Sequence, residues 1–456
     1  MSLTAESSTG LKREMGLRDV TLFAIACIVG TRWIPAAAHA GPGSVLLWLA
    51  AALLLALPLA ISVGALAVKY HGCAGGLYVW TRGDFGPWHG FLCFWVYWIG
   101  LAFWLPTAAL FYMGAGFYTL GPRYAYLAGN RAALLAAALV AIWVALITNI
   151  LGVRIGKWTQ NVGAAATWVL GALLVILAVL VGAKRGTATH IDIVPKWNWS
   201  TVSFWSTIAY AMSGLELAAM MGAEIHDPQR TLRRAGWIAS GFATVFYSAC
   251  TVAMLVLLRP EKISELNGLA QTGESAGMAL GALWLPPVLA VLVMVSAVGQ
   301  IGGIGTSVSR LPFAAGVDNL LPAAFGRVHP QWGTPHISIL TFGGLASFLL
   351  VVFQLGDSLR AAYQELITLM VIGGFLPYLY LFGSAWKCGK RLSAVSGWAV
   401  TVLAILSSLV PTAEISNVWL FEGKLALGTL AMVASAWLVY RKNAAPRPVP
   451  VSIASQ

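Results

Sequence analysis

The chain has 456 residues, of which 59% are hydrophobic and only 10% are charged, and its mean hydropathy is +0.79. Soluble domains usually carry about 25% charged residues, so this composition excludes an ordinary soluble protein. The formal net charge of +12 does not indicate nucleic-acid binding, because the basic residues fall in loops between apolar runs. These runs are long rather than short and alternating, which favours spanning helices over a membrane β-barrel.

Taken in chain order, the apolar runs predict twelve spans, since a spanning helix needs roughly 20 apolar residues. Residues 1–19 are mostly polar and do not form a cleavable signal peptide, so the first apolar run is predicted to remain as a span. The longest polar interruptions are residues 184–201 and 259–277. The spans are predicted to begin near Val20, Ser44, His89, Arg131, Trp158, Val202, Gly236, Gly281, Pro335, Ala362, Ser396 and Val418.

The charge of the loops predicts the orientation. An even number of spans places both termini on one side of the membrane, and that side holds about twice as many Lys and Arg residues as the other. The positive-inside rule therefore places both termini in the cytoplasm, with the chain in the inner (cytoplasmic) membrane. The predicted division is a cytoplasmic segment 1–19, a core 20–385, two additional helices within 396–440 and a cytoplasmic tail 441–456.

Two charged residues lie well inside predicted spans. Arg32 follows Gly30 in the first span, and Glu216 follows Gly214 in the sixth. Charges inside a membrane are costly and usually functional, and a glycine weakens a helix by about 1 kcal/mol relative to alanine. Two interrupted spans, five spans apart, predict an inverted repeat of residues 20–183 and 201–385. In such folds the broken helices meet near the midplane and expose backbone groups to a substrate.

Each of these residues also has a structural interpretation. Gly30 can allow two helices to pack closely, as small residues do in membranes. Arg32 lies ~20 Å along a regular helix from Asp19, so its side chain can extend to the outer interface. Glu216 can pair with a hydrogen-bond donor on a neighbouring helix.

Four segments resemble the amino acid–polyamine–organocation (APC) transporters, which have the LeuT-type fold. IVGTRWIP (28–35) with AGPGS (40–44) is similar to the family's broken first helix and the turn after it. The other three are AGGLYVWTRGDFGPWHGFLCFW (74–95), SGLELAAMMGAEIHDPQRTLRRA (213–235) and SRLPFAAGVDNLLPAAFGRVHPQWGTP (309–335). The resemblance covers spans 1–10. It implies an all-α integral membrane protein with twelve transmembrane helices, a 5+5 inverted repeat with broken helices 1 and 6, and two extra C-terminal helices.

The resemblance also implies a function and a site. The expected protein is a secondary transporter that moves amino acids or related carboxylate-bearing amines by alternating access, through proton-coupled symport or exchange. Its site would lie between spans 1, 3, 6, 8 and 10. Tyr210 is near the position of an aromatic gate in parts of the family, although it can equally be a packing aromatic. The residues carried over are Gly30, Thr31, Arg32, Tyr210, Ala211, Ser213, Gly214 and Glu216, with Trp104 as a candidate from a span 3 set that includes Trp95, Trp98 and Phe103.

Arg32 departs from the family pattern, which has a glycine at this position. In the family, backbone amides of this run hold the substrate carboxylate, and an arginine can either crowd that place or bind the carboxylate itself, bidentately. A fixed positive charge disfavours a polyamine through like-charge repulsion, unless Arg32 is permanently paired with Glu216 or points away. If Arg32 lies beside Glu216, it holds that carboxylate ionised. Protonation would then free Arg32 for substrate and make Glu216 the proton-coupling residue.

Sodium and other partners follow from the same resemblance. Related folds hold sodium between carbonyls of span 1 and hydroxyls of span 8, so Thr306 and Ser307 form a possible sodium site, although they can equally cap a helix. Some proton-coupled relatives place a lysine in span 5, and residues 159–174 contain none. The five cysteines have no metal-binding spacing, so no metal or cofactor is predicted. The predicted partners are a small-molecule substrate (an amino acid or amine), protons or sodium, and the lipid bilayer, with no nucleic acid.

Three alternatives stay open. A polyamine or organic-amine transporter is the alternative within the same class. A membrane-bound redox or hydrolytic enzyme is not indicated, because the sequence has no HExxH, GxSxG or P-loop motif and no mid-span histidine pair to hold a haem. A non-transporting nutrient receptor on the same fold would have the same site, and only a measurement of transport separates it from a transporter.

Overall fold

A computed structural model of the chain describes residues 15–70, 75–151, 153–192, 194, 199–354, 359–411 and 417–443. The protein is helical, and β structure in these ranges is limited to one bridge between Met15 and Ile225. Most of the predicted N-terminal segment, residues 1–14, and most of the predicted tail, residues 444–456, lie outside the described residues.

The helices follow one another with short connections. The first half contains α1 (Leu17–Ile28), α2 (Trp33–His39), α3 (Ser44–Ala51), α4 (Leu57–Lys69), α5 (Leu77–Phe85), α6 (Pro87–Gly116), α7 (Arg131–Ile150) and α8 (Val153–Arg185). The second half contains α9 (Trp199–Ala211), α10 (Leu215–Met220), α11 (Pro228–Leu257), α12 (Gly268–Leu280), α13 (Leu285–Val317), α14 (His336–Gln354), α15 (Leu359–Lys387), α16 (Arg391–Ser408) and α17 (Val418–Asn443). A π-helical segment, Ala52–Ala56, joins α3 to α4, and short 3-10 turns occur at Phe117–Leu120, Pro122–Gly129, Gly222–Glu224, Pro260–Lys262 and Ala323–Gly326.

The number of spans agrees only in part with the prediction. Within the described ranges, ten helices are long and apolar enough to cross a membrane, and α1 and α2, bent by 44° at their break, make an eleventh. The sixth predicted span consists of α9 and α10, which have 13 and 6 residues. Neither reaches the roughly 20 residues that a span requires, so helix length does not confirm the count of twelve. The all-α, multi-span architecture is as predicted.

Two segments that the sequence left as connections contain helices. α12 occupies much of the polar interruption 259–277 because its small residues pack closely against the start of α13: a Cβ on Gly273 would lie 2.9 Å from Cα of Pro286. α5 lies between α4 and α6. The seventh span also begins earlier than predicted, at Pro228 rather than near Gly236, since proline suits the first position of a helix.

Glycine contacts hold the central helices together. A Cβ on Gly100 of α6 would lie 2.6 Å from the backbone of Gly373 in α15. A Cβ on Gly163 of α8 would lie 2.4 Å from Cα of Gly299 in α13. Small residues at such crossings let two backbones approach closely, which favours helix association in a membrane. Helices α6 and α15 therefore run side by side at the centre of the bundle.

We expect Gly100→Val to destabilise the protein by about 1–3 kcal/mol, because the added methyl groups force α6 and α15 apart. Thermal unfolding of the purified protein in detergent measures the effect as a lower midpoint. Gly241→Val is the matched control, since no atom lies within 4 Å of the Cβ position of Gly241, and its midpoint should stay near that of the parent. Equal midpoints for the two variants would contradict the role given to the Gly100 contact.

Candidate substrate site

The first span is broken between Ile28 and Trp33, and a tyrosine from α11 fixes the break. The hydroxyl of Tyr247 donates to the carbonyl oxygen of Ile28 at 2.8 Å and accepts from the backbone N–H of Gly30 at 2.8 Å. A Cβ on Gly30 would lie 2.7 Å from Nε2 of Gln300 and 3.0 Å from Nε1 of Trp33. Gly30 therefore allows Gln300 and Trp33 to pack closely against the break. Tyr247 forms hydrogen bonds with backbone groups that the interrupted helix leaves unpaired.

The sixth segment is broken at Gly214, and this break faces the first one. Gly214 has a φ of +107°, a conformation that glycine adopts without the strain of a side chain. A Cβ there would lie 3.3 Å from the carbonyl oxygen of Cys27 at the end of α1. Ser213 donates from its hydroxyl to the carbonyl oxygen of Tyr210 at 2.6 Å, and Ala211 is buried beside it. The sequence prediction that the two broken segments meet is therefore matched by the arrangement of their backbones.

Arg32 points into the protein, and the described groups that contact its guanidinium are neutral. Its guanidinium donates from Nη1 to the Thr107 hydroxyl at 2.5 Å, and Nη2 lies 3.4 Å from the sulfur of Met370. Its Cζ lies 4.0 Å from the ring centroid of Trp33 and 5.2 Å from that of Trp104. The residue is 2% exposed, so the extension to the outer interface that the sequence allowed does not occur. Cation–π contacts stabilise a desolvated guanidinium only in part.

Two buried polar atoms at the break have no hydrogen-bond partner within the described part of the chain. They are Nε of Arg32 and the hydroxyl oxygen of Thr31, whose residue is 1% exposed. Because Nη2 has only a thioether sulfur, the Nε–Nη2 edge of the guanidinium lacks an oxygen acceptor. Buried polar groups are normally satisfied, and an unsatisfied one costs about 1–3 kcal/mol. This edge has the geometry that binds a carboxylate through two parallel hydrogen bonds.

An aromatic wall lies beside Arg32. The Tyr210 ring packs edge-on against Trp33, with centroids 6.1 Å apart, and against Phe375 of α15 at 5.6 Å. Tyr210 also packs over Gly374, where a Cβ would lie 2.5 Å from its ring. Trp33, Tyr210 and Phe375 are all less than 10% exposed, so they form a buried aromatic surface that continues from the ring facing the guanidinium.

Glu216 is held by donors from three segments. Its Oε1 accepts a hydrogen bond from the Tyr97 hydroxyl of α6. Its Oε2 accepts one from the Tyr378 hydroxyl of α15 at 2.5 Å and one from the backbone N–H of Gly214 at 3.1 Å. The residue is 1% exposed. The carboxylate thus links α6, α10 and α15 just beyond the break in the sixth segment.

Arg32 and Glu216 do not form an ion pair. Each has its own set of partners, and none of the described acidic side chains contacts Arg32. The alternative in which Arg32 holds the Glu216 carboxylate ionised depended on their lying together, and the structure separates them. Permanent pairing with Glu216, one of the two conditions under which a polyamine substrate stayed possible, is therefore not found.

The aromatic set of span 3 divides into one site residue and three others. Trp104 faces Arg32. Trp95 donates from its indole N–H to Ser435 of α17 at 2.9 Å, Trp98 packs against Phe342, and Phe103 packs against Phe353. The last two partners belong to α14, so these three rings face away from the breaks.

Seven residues at the site escaped the sequence analysis: Trp33, Tyr97, Thr107, Tyr247, Met370, Phe375 and Tyr378. Four of them, Tyr97, Thr107, Tyr247 and Tyr378, carry hydroxyl groups within long apolar helices, and these hydroxyls are the signal that would have marked them. Thr107 follows Pro106 within α6, and Tyr378 follows Pro377 within α15. Met370 has no such signal, because a methionine in a membrane span is ordinary.

Thr306 and Ser307 lie inside α13, eleven and ten residues before its last residue Val317. The alternative that they cap a helix is therefore wrong. The Thr306 hydroxyl has two acceptors within reach of its proton, the Gly302 carbonyl oxygen at 2.8 Å and the Asn149 side-chain oxygen at 3.1 Å, and it accepts from Gln160 Nε2 at 3.3 Å. Ser307 is fully buried and its hydroxyl has no partner among the described residues. One of the two hydroxyls predicted to hold sodium is thus already engaged by amide side chains of α7 and α8.

Ion pairs and a backbone hydrogen bond hold the end of the bundle around Met15 together. Buried Arg310 of α13 pairs with Glu224, with Nε 3.1 Å from Oε1. The backbone N–H of Met15 donates to the carbonyl oxygen of Glu224 at 3.0 Å. In α5, outside the spans, Arg82 and the Tyr78 hydroxyl both contact Asp318. Burial, aided by the Asp318 carboxylate, raises the pKa of Tyr78, so its phenol remains a donor.

Proteins of similar sequence are transporters. The family model described as "Amino acid permease" matches residues 15–447. An uncharacterized transporter of Legionella pneumophila is 26% identical over 95% of this chain and 97% of its own length. The serine/threonine exchanger SteT of Bacillus subtilis is 28% identical over 88% of this chain and 90% of its own. The probable agmatine/putrescine antiporter AguD of Lactococcus lactis is 23% identical over 80% of each.

A solved structure has the same fold. The crystal structure of MhsT in complex with L-phenylalanine covers 91% of this chain and 100% of its own, with a TM-score of 0.64 at 14% identity. The LeuT-type fold and the assignment to a transporter family both agree with the prediction. Its homologues and its spans make the chain a multi-pass membrane protein and a secondary transporter. With a family model that spans nearly all of its length, this chain belongs to the amino acid permease family of the APC superfamily.

Proposed function

We propose that this transporter moves amino acids or related carboxylate-bearing substrates across the cytoplasmic membrane by alternating access, with both termini in the cytoplasm. The observation that carries the proposal is the Nε–Nη2 edge of buried Arg32, which lacks an oxygen acceptor among the described residues and lies beside the Thr31 hydroxyl. SteT is named as a serine/threonine exchanger, and the MhsT structure contains L-phenylalanine. Each of these compounds has a carboxylate, which is consistent with a carboxylate-bearing substrate here.

A substrate carboxylate removes the largest unfavourable feature of the empty site. Taking a charge out of water costs several kcal/mol, and Arg32 has no anionic partner within the described residues to offset this cost. A carboxylate on the Nε–Nη2 edge accepts two charge-assisted hydrogen bonds, and the Thr31 hydroxyl can donate a third. Nη1 keeps its bond to Thr107, so the guanidinium stays oriented when the substrate arrives.

Glu216 supports coupling to protons. As a carboxylate it accepts hydrogen bonds from Tyr97, Tyr378 and the N–H of Gly214. As a carboxylic acid it must donate its own proton, so one tyrosine hydroxyl has to turn and find another acceptor. Protonation therefore weakens the link between α10 and either α6 or α15. Because α10 belongs to a broken segment that meets the Arg32 break, this change can be transmitted to the substrate site.

Two alternatives are less well supported. A polyamine substrate is consistent with the name of AguD, but a polycation would meet the unpaired charge of Arg32 at low dielectric, where like charges repel strongly. Sodium coupling through Thr306 and Ser307 would have to displace the amide contacts of Thr306. We also propose that the core consists of two inverted repeats, residues 20–183 and 201–385, followed by two additional helices within 396–440.

Transport of carboxylates is tested by counterflow in proteoliposomes. Vesicles containing the purified protein are preloaded with a mixture of amino acids, and entry of labelled amino acid is followed in the presence of competing amino acids, amines and organic acids. We expect carboxylate-bearing compounds to compete and simple amines to fail. Binding of the label without counterflow would instead indicate a non-transporting receptor, and competition by polyamines alone would overturn the carboxylate proposal.

A further inference from the structure

The charged side chains around the breaks differ in what they offer to the carboxylate and to the ammonium group of an amino acid. Five ionisable side chains that can carry charge near neutral pH are buried in the described part of the chain: Arg32, Glu216, Glu224, Arg310 and Glu365. Glu224 pairs with Arg310, and Glu365 pairs with Lys424 of α17 at 2.7 Å. Both pairs already balance their own charge, which leaves Arg32 and Glu216 to act on a substrate.

Glu216 is already held by three hydrogen-bond donors of the protein in this arrangement. Both of its carboxylate oxygens already accept hydrogen bonds, from Tyr97 on one side and from Tyr378 and Gly214 on the other. The groups that contact the Arg32 guanidinium are a hydroxyl, a thioether and two indole rings. A substrate carboxylate thus finds a matching charge at Arg32, whereas an ammonium group beside it finds none and is repelled by the guanidinium.

The aromatic side chains around Arg32 indicate the chemical nature of the rest of the substrate. Trp33 and Trp104 lie against the guanidinium, and Tyr210 and Phe375 continue the aromatic surface from Trp33. Rings of this kind bury apolar and aromatic groups well. A second carboxylate would meet no second unpaired cation among the described buried side chains, because Arg310 is engaged by Glu224. Burying it would carry the cost of an uncompensated charge.

We infer that the site selects monocarboxylates with an apolar or aromatic remainder, and that an α-ammonium group is not needed for binding. This inference rests on the proposed function, since it takes the carboxylate to lie on Arg32. It adds that the closest-fitting substrate has a net charge of −1, which neutralises Arg32, whereas a zwitterion leaves the site with a net positive charge.

The inference is tested with ligands that share one ring and differ in their charged groups. Binding of L-phenylalanine, 3-phenylpropanoate, 2-phenylethylamine and phenylsuccinate to the purified parent protein is measured by isothermal titration calorimetry. A matched aliphatic series, L-leucine, 4-methylpentanoate and 3-methylbutylamine, is measured in parallel. We expect each monocarboxylate to bind at least as tightly as its amino acid. The amines and phenylsuccinate should bind at least ~30-fold more weakly, the factor that corresponds to about 2 kcal/mol.

The outcomes separate this inference from the proposed function. If the amino acids bind and the des-amino acids do not, the ammonium group is required and the inference is overturned, while carboxylate transport stands. Equal binding of phenylsuccinate and 3-phenylpropanoate would overturn the monocarboxylate selectivity alone. If no carboxylate in either series binds, or if the amines bind most tightly, the proposed carboxylate site itself is overturned together with the inference.

Discussion

Replacing Arg32 with glutamine should weaken the binding of carboxylate substrates by at least ~30-fold, because removing one partner of a buried, hydrogen-bonded charge pair costs about 2–5 kcal/mol. Glutamine keeps a polar side chain, but it is shorter and has neither the charge nor the pair of parallel N–H donors. Arg32→Lys should have an intermediate effect, since an ammonium keeps the charge but does not reproduce two parallel hydrogen bonds. Kd is measured by calorimetry with the tightest-binding carboxylate of the competition screen.

The same substitution should not destabilise the empty protein. Arg32 is buried without an anionic partner in the described residues, and removing an uncompensated buried charge relieves a desolvation cost. We therefore expect the thermal midpoint of Arg32→Gln without substrate to equal or exceed that of the parent. Arg123→Gln, at an exposed residue, is the matched control and should change neither quantity. Full affinity in Arg32→Gln would show that the substrate carboxylate binds elsewhere.

The breaks in the first and sixth segments were predictable from sequence because they depend on local chemistry. Gly30 and Gly214 interrupt apolar runs, and in each case the structure places a break at or beside the glycine. The resemblance of the surrounding motifs to those of the APC family then correctly predicted the order of the segments. The sixth segment shows the limit of this reasoning, since hydropathy marks an apolar run but does not reveal that its two helices have only 13 and 6 residues.

The contacts within the site were not predictable from sequence because they depend on how each helix is rotated about its axis. Nearly all of α6 is buried, and a helix that is hydrophobic all round has no apolar stripe from which to infer its facing side. Trp104 and Trp98 were therefore equivalent in sequence, although only Trp104 lies over Arg32. The separation of Arg32 from Glu216 has the same origin, since their partners Thr107, Tyr97 and Tyr378 come from helices that are distant in sequence.

Replacing Glu216 with glutamine should abolish the accumulation of substrate that a pH gradient drives. If one proton moves with each substrate, a gradient of one pH unit contributes about 1.4 kcal/mol, which corresponds to tenfold accumulation at equilibrium. Glutamine cannot take up or release a proton between pH 5 and 8, so the accumulation ratio should fall to about one. Exchange of labelled for unlabelled substrate should persist, because the amide oxygen can still accept a hydrogen bond from Tyr97 or Tyr378. The exchange rate should also become insensitive to pH, because the amide does not titrate.

Proteoliposomes with an imposed pH gradient and no membrane potential give the accumulation ratio, and the same vesicles at equal internal and external pH give the exchange rate. Glu261→Gln is the matched control because Glu261 is exposed in a 3-10 turn outside the spans, and it should keep the pH dependence of the parent. A Glu216→Gln variant that exchanges substrate and still accumulates it tenfold per pH unit would place the proton on another residue. Loss of exchange as well as accumulation would instead mean that the carboxylate is needed to hold α6, α10 and α15 together, since its three hydrogen bonds join those helices.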